Sequence, residues 1–581
     1  MNHESSKLQK LFSPLGLTLL ALLTLLPGLW NLPLIDRDEP RFAHATVEMI
    51  DRGEWVVPYF NDEYRFDKPP LTYWWMRANF AVFGINEFSS RLHSVQASWL
   101  TALAIYFFAL RLGASRRGAF FAGAGWLTCL QVLIHSRMAV ADLPLILFIT
   151  LSASALHKII REPEKRLPQT GWLALWLALG FLAKGPLAHL IPGLPLLILP
   201  LYFWWKGRKA DDEETAELTE QRRQLWPAQK AFLLAIIPSF ALVAIWGIPA
   251  LIDTRGAYFG IGIGKHVVER GTGALNSRFF IPGLYYFIAI IPFLLPWSPL
   301  LPGTLKKGLR AGTLEVRFLL AWLLAPFLIF SFYATQLPHY ILPGYPAFFL
   351  LLAVLPKASV DLGKLGKTFR AVAIGLPYLF GGLLILAGIM QSFSPHADGS
   401  LAGLVLAAGV LFAALARAGQ LLSRVESLQL RPLVILTAVV VVTVTLAAQF
   451  ARNAHLTIRL HELTGDLGPG RLEAAGYQEE SLVWYYDDFD DKDVTGFLAK
   501  VKERELEPEN SVLSVVQKKR WRIDEDSIWP LLTLQQVEPV DDETEDLIEL
   551  FGRERIENAP VVSGWSPATS SWIELLVLKP E

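Results

Sequence analysis

The sequence predicts a polytopic α-helical membrane protein that ends in a small outer α/β domain. The composition is the first indication, since the 581 residues are 52% hydrophobic and only 18% charged, whereas soluble globular proteins carry about 25% charged residues. The second indication is the uneven distribution of charge. Residues 1–450 alternate apolar runs with short charged breaks, whereas residues 451–581 have the mixed composition of an acidic soluble domain.

The apolar runs of residues 1–450 approach or reach the roughly 20 residues that a membrane-spanning helix needs. A Lys-Gly-Pro break at 184–186 divides one long stretch into two spans. We therefore predict about thirteen transmembrane helices. The predicted spans are residues 11–30, 94–110, 118–135, 143–160, 171–184, 186–205, 231–252, 284–301, 318–334, 340–355, 370–390, 401–416 and 432–450.

The first apolar run predicts an uncleaved anchor. Lys7 and Lys10 precede it, as basic residues precede the apolar core of a signal peptide. The run nevertheless ends in LLPGLW, without a small-residue cleavage site. The single cysteine, Cys129, lies within another apolar run, so the outer domain has to fold without an internal disulfide bond.

The short loops predict the orientation, because Lys and Arg are concentrated in cytoplasmic loops. With the N-terminus inside, every predicted inner loop is basic, whereas the outer connections 335–338 and 391–400 contain no Lys or Arg. An odd number of spans then places the C-terminal domain outside, which is the periplasm for the inner membrane of a Gram-negative bacterium. The basic residues of the inner loops are Arg111, Arg116, Arg117, Lys158, Arg161, Lys165, Arg166, Lys206, Arg208, Lys209, Arg222, Arg223, Lys306, Lys307, Arg310, Lys357, Lys364, Lys367, Arg417 and Arg424.

Two outer segments interrupt the predicted membrane domain, a first outer loop at 31–90 and a second at 253–283. The first is too polar for the lipid interior and too apolar for a free loop. Asp38 can cap a helix that carries an apolar stripe and ends at Gly53. The aromatic-rich segment TYWWMRANFAVFG at 72–84 is a second short helix. Both helices suit the plane of the membrane interface.

Charged and polar residues from five separate segments fall on the predicted outer face. Ionisable residues in or beside membrane spans are costly, and they mark functional sites by default. Incidental charges would be distributed over both faces, so this convergence predicts a site at the outer interface. These residues are Asp38, Glu39, Arg41, Asp67, Lys68, Asp142, Lys184, His266, Glu269, Arg270, His339 and Tyr340.

Each of these residues taken alone has a simpler explanation. Asp38 and Asp142 could serve only as helix caps. Lys184 and Arg270 could extend along apolar surface to place their charges at the interface, and the histidines could be local hydrogen-bonding groups. We predict no bound metal, although Asp67 and His266 could hold a divalent ion. The D-x-D pattern at residues 36–38 is too short to indicate a metal by itself.

Five motifs follow one another in order: DEPRFA, DKPPLTYW, ADLP, LAKGP and LPHYILPGYP. In this order they resemble bacterial members of the protein O-mannosyltransferase (PMT) superfamily, and particularly the aminoarabinose transferases that decorate lipid A. Members of that superfamily are GT-C glycosyltransferases with polyprenyl-phosphate-sugar donors. The resemblance covers roughly residues 10–355, and AGYQEESLVWYY in the outer domain is similar to the C-terminal region of the same family.

The resemblance implies roles for individual residues. Asp38 is the leading catalytic carboxylate and Asp142 a second acid near the acceptor, while Lys68, Arg270 and Tyr340 hold the lipid phosphate. This sequence departs from the family where Phe42 replaces Tyr, Asp67 replaces Glu, and Gln336 and His339 replace Lys and Thr. The residues implied to bind substrate are Glu39, Arg41, Asp67, Lys68, Lys184, Arg270, His339 and Tyr340.

The functional prediction is a membrane glycosyltransferase without a cofactor. It moves a sugar, with inversion, from undecaprenyl phosphate to a lipid A, glycan or protein acceptor on the periplasmic side. The net charge of -1 gives no indication of a nucleic-acid partner. A transporter of lipid-linked sugars is the alternative, but transporters bind near the bilayer midplane and often contain internal repeats. A structural scaffold leaves the outer charges unexplained.

Overall fold

The computed structural model confirms a mostly helical chain followed by a small sheet domain. It describes residues 11–262, 264, 284–356, 360–393, 398–424, 430–465, 471–475, 477, 479–486, 498–501, 511–523, 534–539, 548, 550–566 and 571–578. A helix occupies each predicted membrane segment. The helices are α1 (Pro14–Leu25), α2 (Glu39–Asp51), α3 (Leu71–Phe83), α4 (Glu87–Arg111), α5 (Arg116–Leu127), α6 (Leu130–His135), α7 (Asp142–Arg161), α8 (Arg166–Lys184), α9 (Leu187–Gly207), α10 (Asp212–Asp253), α11 (Ala257–Phe259), α12 (Leu284–Phe293), α13 (Leu301–Ala311), α14 (Leu314–Phe330), α15 (Tyr345–Val354), α16 (Gly363–Gln391), α17 (Gly399–Arg424) and α18 (Leu430–Ala454).

Seven helices within the described ranges are long and apolar enough to cross a membrane. Several other predicted spans are shorter or interrupted, so the number of thirteen spans stays a prediction. The break at 184–186 is confirmed, because α8 ends at Lys184 and α9 begins at Leu187. The seven long apolar helices are α4, α7, α9, α10, α16, α17 and α18.

The first outer loop contains both predicted helices, α2 and α3, and a two-residue hairpin of β1 (Tyr59–Phe60) and β2 (Glu63–Tyr64). Asp38 occupies the N-cap position of α2, but its side chain makes no capping hydrogen bond. The helix ends as expected just before Gly53, which has a positive φ of 69° that glycine adopts without strain. The apolar face of α2 packs against α3 and the segment before α7.

The contact between α16 and α17 depends on two facing glycines. A Cβ on Gly381 would lie 2.9 Å from the carbonyl oxygen of Gly409, and a Cβ on Gly409 would lie 2.8 Å from that of Gly381. Small residues allow membrane helices to approach this closely. We expect Gly381→Ala to destabilise the protein by about 1–3 kcal/mol through overpacking, measured as a lower thermal midpoint in detergent.

Gly382 provides the matched control for this prediction, because nothing lies within 4 Å of a Cβ built there. Gly382→Ala adds the same methyl group to the same helix without a steric clash. It should therefore leave the thermal midpoint unchanged or raise it slightly. Equal midpoints for the two variants would contradict the packing argument.

The C-terminal domain is a mixed sheet with short helices. The domain's elements are α19 (Leu456–Thr464), β3 (Arg471–Ala475), α20 (Ser481–Tyr486), β4 (Leu498–Val501), β5 (Ser511–Ile523), β6 (Leu534–Pro539), α21 (Arg553–Asn558), β7 (Val561–Ser566) and β8 (Ser571–Leu578). Strand β3 pairs in parallel with β4 and β5, and β8 pairs antiparallel with β5 and β7. The sheet order is β4-β3-β5-β8-β7, with β6 pairing antiparallel to β5.

The sequence predicts strands at SVLSVV and WIELLVL, and β5 and β8 confirm them. The strand expected at SLVWYY is wrong, because this segment forms α20. Leu482, Val483 and Tyr486 face the core of the C-terminal domain, whereas Trp484 and Tyr485 pack into the first outer loop. The spacing of a helix places these two sets of side chains on different faces. The alternating side chains of a strand would instead place members of both sets on each face. The sequence VTGFLAKVKERE at 494–505 predicts a helix. This prediction is wrong where the segment is described, since residues 498–501 form β4.

Candidate active site

Three elements bring polar side chains from distant parts of the chain to one point. Asp142 begins α7, Lys184 ends α8, and His339 lies in the 3-10 helix Pro338–Gly344. The Nζ atom of Lys184 donates a hydrogen bond to Oδ1 of Asp142 over 2.6 Å. Nε2 of His339 lies 3.7 Å from the same oxygen. The convergence expected for these three residues is therefore present.

A second histidine joins this group. The ring of His135, at the end of α6, lies 4.9 Å from the ring of His339. Its Nδ1 atom is 3.0 Å from Nε2 of Gln131, and its side chain is buried. His135 is not among the predicted site residues. The topology contained the signal, because His135 ends the third predicted span on the outer side.

Tyr340 lies beside His339 in an aromatic group. Its ring centroid is 4.9 Å from that of His339 and 4.6 Å from that of Phe330. Tyr333 also belongs to this group, and its ring centroid lies 6.3 Å from that of Tyr340. Its aromatic neighbours therefore hold the Tyr340 ring next to the charged residues.

The first outer loop contributes the other predicted residues. The Nζ atom of Lys68 is 3.0 Å from the backbone oxygen of Asp67, and the charge of Lys68 acts on His339. A guanidinium nitrogen of Arg65 lies 3.0 Å from Oδ2 of Asp67. This loop therefore connects the basic Lys68 with the Asp142 group.

Arg65 is a further residue that the sequence analysis missed. Its side chain is buried, and its Nε atom donates to the hydroxyl of Tyr73 over 3.0 Å. Burial lowers the pKa of Arg65, but interactions with Tyr73, Asp67 and Asp38 outweigh it and raise the pKa overall. Asp38 itself is exposed to solvent. Arg65 is thus a cation that remains charged between two of the predicted carboxylates.

Glu39 is enclosed by protein donors in this structure, and the substrate contact implied for it stays a prediction. Its side chain is completely buried and receives four hydrogen bonds. Nε and a terminal nitrogen of Arg91 donate to its two oxygens over 2.8 and 2.9 Å. The backbone amides of Ile35 and Ala139 donate over 2.8 and 2.7 Å. Glu39 is therefore a positioning residue that fixes the loop before α2 to α4 and to the segment before α7.

Arg41 also has a protein partner, since it forms an ion pair with Glu480 of the C-terminal domain. Its side chain nevertheless remains 37% exposed. The predicted residues His266, Glu269 and Arg270 lie outside the described residues. The contact implied for Arg270 with the lipid phosphate stays a prediction.

Two groups within the described ranges have the donor atoms for a metal ion. His135, Asp142 and His339 form one, and Asp36, Glu479 and Glu480 form the other. The ammonium group of Lys184 already binds Asp142 in the first group. A metal there would have to compete with this cation, so this group is better suited to an anionic or hydroxyl substrate.

The fold has a counterpart among solved structures. The crystal structure of ArnT from Cupriavidus metallidurans bound to undecaprenyl phosphate superposes with a TM-score of 0.63 and 19% sequence identity. The match covers 87% of this chain and 92% of the other. This chain therefore has the GT-C fold, the architecture of polytopic membrane glycosyltransferases, with a small C-terminal sheet domain.

Comparison with related sequences shows to which family with this fold the chain belongs. Residues 16–250 match the family described as dolichyl-phosphate-mannose-protein mannosyltransferase. An undecaprenyl phosphate-α-4-amino-4-deoxy-L-arabinose arabinosyl transferase from Pectobacterium carotovorum is 32% identical over 415 residues, which cover 69% of each chain. Its counterpart from Aeromonas salmonicida is 32% identical over 65% of this chain and 66% of its own length, slightly less than two thirds. This chain belongs to the family of these arabinosyl transferases.

Proposed function

We propose that this protein transfers 4-amino-4-deoxy-L-arabinose from undecaprenyl phosphate to lipid A. One observation supports transfer chemistry above others: Lys184, Asp142 and His339 meet in one group, and Lys68 of the first outer loop is near enough for its charge to act on His339. The family supports the choice of donor, because its members are named for this donor. The motif order resembles that of the transferases that modify lipid A, which supports the acceptor.

The proposed reaction is a single displacement with inversion. The bond between the anomeric carbon and the phosphate oxygen breaks, and its electron pair remains on undecaprenyl phosphate. An oxygen of the acceptor forms the new bond from the opposite face, through an oxocarbenium-like transition state. If that oxygen is a hydroxyl, its proton passes to a carboxylate. A phosphate acceptor is already ionised and needs no base.

Lys68 is the proposed stabiliser of the leaving group. Negative charge grows on the phosphate oxygen as the bond breaks, and a fixed cation lowers the free energy of that state most where water is excluded. The part-buried Lys68 follows Asp67, which is paired with Arg65. Lys184 is held by Asp142 on the other side, where it orients that acid toward the acceptor.

Orientation and domain organisation are part of the same proposal. We place the N-terminus in the cytoplasm and residues 451–581 in the periplasm, with residues 1–450 as the membrane domain. The two ends of α7 support this, because Asp142 begins the helix while Lys158 and Arg161 lie in its last turn. The basic end then faces the cytoplasm, and the Asp142 group faces the periplasm, where the sugar of the lipid-linked donor is accessible.

The proposal is tested with purified protein reconstituted in lipid. The donors are undecaprenyl phosphates carrying different sugars, including the aminopentose, and the acceptor is lipid A. We expect transfer of the aminopentose in preference to neutral sugars. Transfer of another sugar would overturn the choice of donor. Movement of lipid-linked sugar between leaflets without any transfer would indicate a transporter instead.

Lys68→Ala is expected to lower kcat/KM for the donor by about 10²–10³-fold, the effect of removing one group that stabilises a developing anion. Radiolabelled transfer at varied donor concentration measures it. Lys165→Ala is the control, because Lys165 is an exposed lysine, paired with Glu162, in the connection between α7 and α8. An unchanged kcat/KM for Lys68→Ala would exclude Lys68 from phosphate binding.

A further inference from the structure

The loop before α2 meets the C-terminal domain at a group of acids, the acidic cluster of Asp36, Glu479 and Glu480, of which Asp36 and Glu480 are buried. One oxygen from each carboxylate lies within 4.8 Å of the others. The backbone amide of Ser481 donates to Oδ1 of Asp36 over 2.8 Å. Two parts of the chain that are far apart in sequence thus place three carboxylates together.

A buried histidine is directed at this cluster. Nε2 of His455 lies 3.8 Å from Oδ2 of Asp36, and the two side chains are 1% and 0% exposed. That Oδ2 atom and both ring nitrogens of His455 have no hydrogen-bond partner among the described residues. Buried polar atoms are almost always paired. An imidazole and a carboxylate oxygen therefore face each other with binding capacity that the described residues leave unused.

We propose that the acidic cluster and His455 bind a divalent cation that joins the C-terminal domain to the first outer loop. The charges fit such an ion. Three carboxylates lie together, and one of them, that of Glu480, is paired with the guanidinium of Arg41. Oδ2 of Asp36 and Nε2 of His455 remain as ligand atoms without a hydrogen-bond partner among the described residues.

The donor set limits the kind of ion. Zn²⁺ and Mn²⁺ accept carboxylate oxygens together with imidazole nitrogen, whereas Ca²⁺ takes oxygen ligands alone. Ligand atoms on opposite sides of Ca²⁺ lie about 5 Å apart at its bond lengths of roughly 2.3–2.6 Å, and the carboxylate oxygens lie within 4.8 Å of one another. Zn²⁺, with bonds of roughly 2.0–2.2 Å, would draw them closer together. A bond from the imidazole nitrogen of His455 to the ion distinguishes Zn²⁺ and Mn²⁺ from Ca²⁺.

The position of the cluster gives this ion a structural consequence. Asp36 precedes the proposed catalytic carboxylate Asp38 by two residues, and Glu480 immediately precedes α20, which packs on α2. A cation shared by Asp36 and Glu480 would therefore fix the main chain on both sides of the contact. The C-terminal domain would then help to hold the loop that carries Asp38.

The first experiment measures metal content and thermal stability of the full-length protein in detergent. The protein is stripped with chelator and then loaded separately with Zn²⁺, Mn²⁺ and Ca²⁺. We expect one ion per chain by elemental analysis and a higher thermal midpoint with the preferred ion. The double variant Asp36→Asn, Glu479→Gln should lose both the ion and the metal-dependent rise.

Asp398→Asn is the matched control, because Asp398 is a carboxylate that pairs with Arg459 of α19 but lies outside the cluster. It should retain the ion and the rise. Electron paramagnetic resonance of Mn²⁺ in the unmodified protein does not depend on any variant folding, and it should detect a nitrogen ligand that His455→Ala removes. A nitrogen-free signal from one bound ion would assign an oxygen-only site and exclude His455.

Three results would overturn the proposal. The first is the absence of a stoichiometric ion from the unmodified protein under all three loading conditions. The second is equal ion content in the double variant and the unmodified protein. The third is a higher thermal midpoint for Asp36→Asn, without metal dependence, which would assign the cluster to a proton on Asp36 instead of a cation.

Discussion

Asp38→Asn is expected to reduce the rate of sugar transfer by a factor of about 10²–10⁴, the usual contribution of a positioned acid or base. Asparagine keeps the size of the side chain but removes its charge and its ability to accept a proton. Asp38 is exposed, whereas the oxygen of Asp142 is already bound by Lys184. Asp38 is therefore the carboxylate that an incoming substrate can reach most directly.

The variant should fold, because the side chain of Asp38 does not cap α2. Single-turnover transfer with saturating donor separates the chemical step from donor binding. Asp62→Asn serves as the control, since Asp62 is an exposed aspartate of the same outer loop that pairs with Arg52. Full activity of Asp38→Asn would remove Asp38 as an essential base and direct attention to Asp142, or to an acceptor phosphate that needs no base.

The membrane helices could be predicted because their signal is local. A long apolar run is sufficient to identify each one, and helix ends follow from glycine and proline, as at 184–186. The convergence of Asp142, Lys184 and His339 could also be predicted. Topology alone orders residues that follow or precede a span on the same side, without any knowledge of which helices are neighbours.

The contacts within the site could not be predicted, because they depend on pairs that are remote in sequence. In the sequence, Glu39 is one more charged residue of the motif DEPRFA. Only its contact with Arg91 in the folded chain shows that it is buried. SLVWYY has the composition of a strand. It is helical because its side chains have to fill two separate cores, and the second of these belongs to the first outer loop.

The resemblance to a family could not predict these contacts either. It implied roles for Asp38, Lys68 and Asp142 together, but a motif does not distinguish a residue that contacts substrate from one that supports such a residue. Arg65 stands just before the motif DKPPLTYW and was therefore overlooked. In the structure it lies between the charges of Asp38 and Asp67, which is a position that only the folded loop creates.

Glu39→Gln is expected to destabilise the protein by about 3–5 kcal/mol, the cost of breaking a buried ion pair by removing one partner. Each carboxylate oxygen of Glu39 accepts from one nitrogen of Arg91 and from one backbone amide. Glutamine has only one acceptor oxygen, and its NH₂ group would face two other donors. Arg91 would also keep a buried charge without its counter-ion.

Denaturation of the detergent-solubilised protein measures this effect as a lower midpoint. Glu87→Gln is the control, because Glu87 is 18% exposed and its pair with Arg452 spans 3.7 Å. Loss of such a pair costs at most about 1 kcal/mol. The double variant Glu39→Gln, Arg91→Gln should recover part of the loss, since it removes the uncompensated charge. A Glu39→Gln variant as stable as the control would mean that Glu39 is not the anchor of the loop, and that Asp38 is positioned by other contacts.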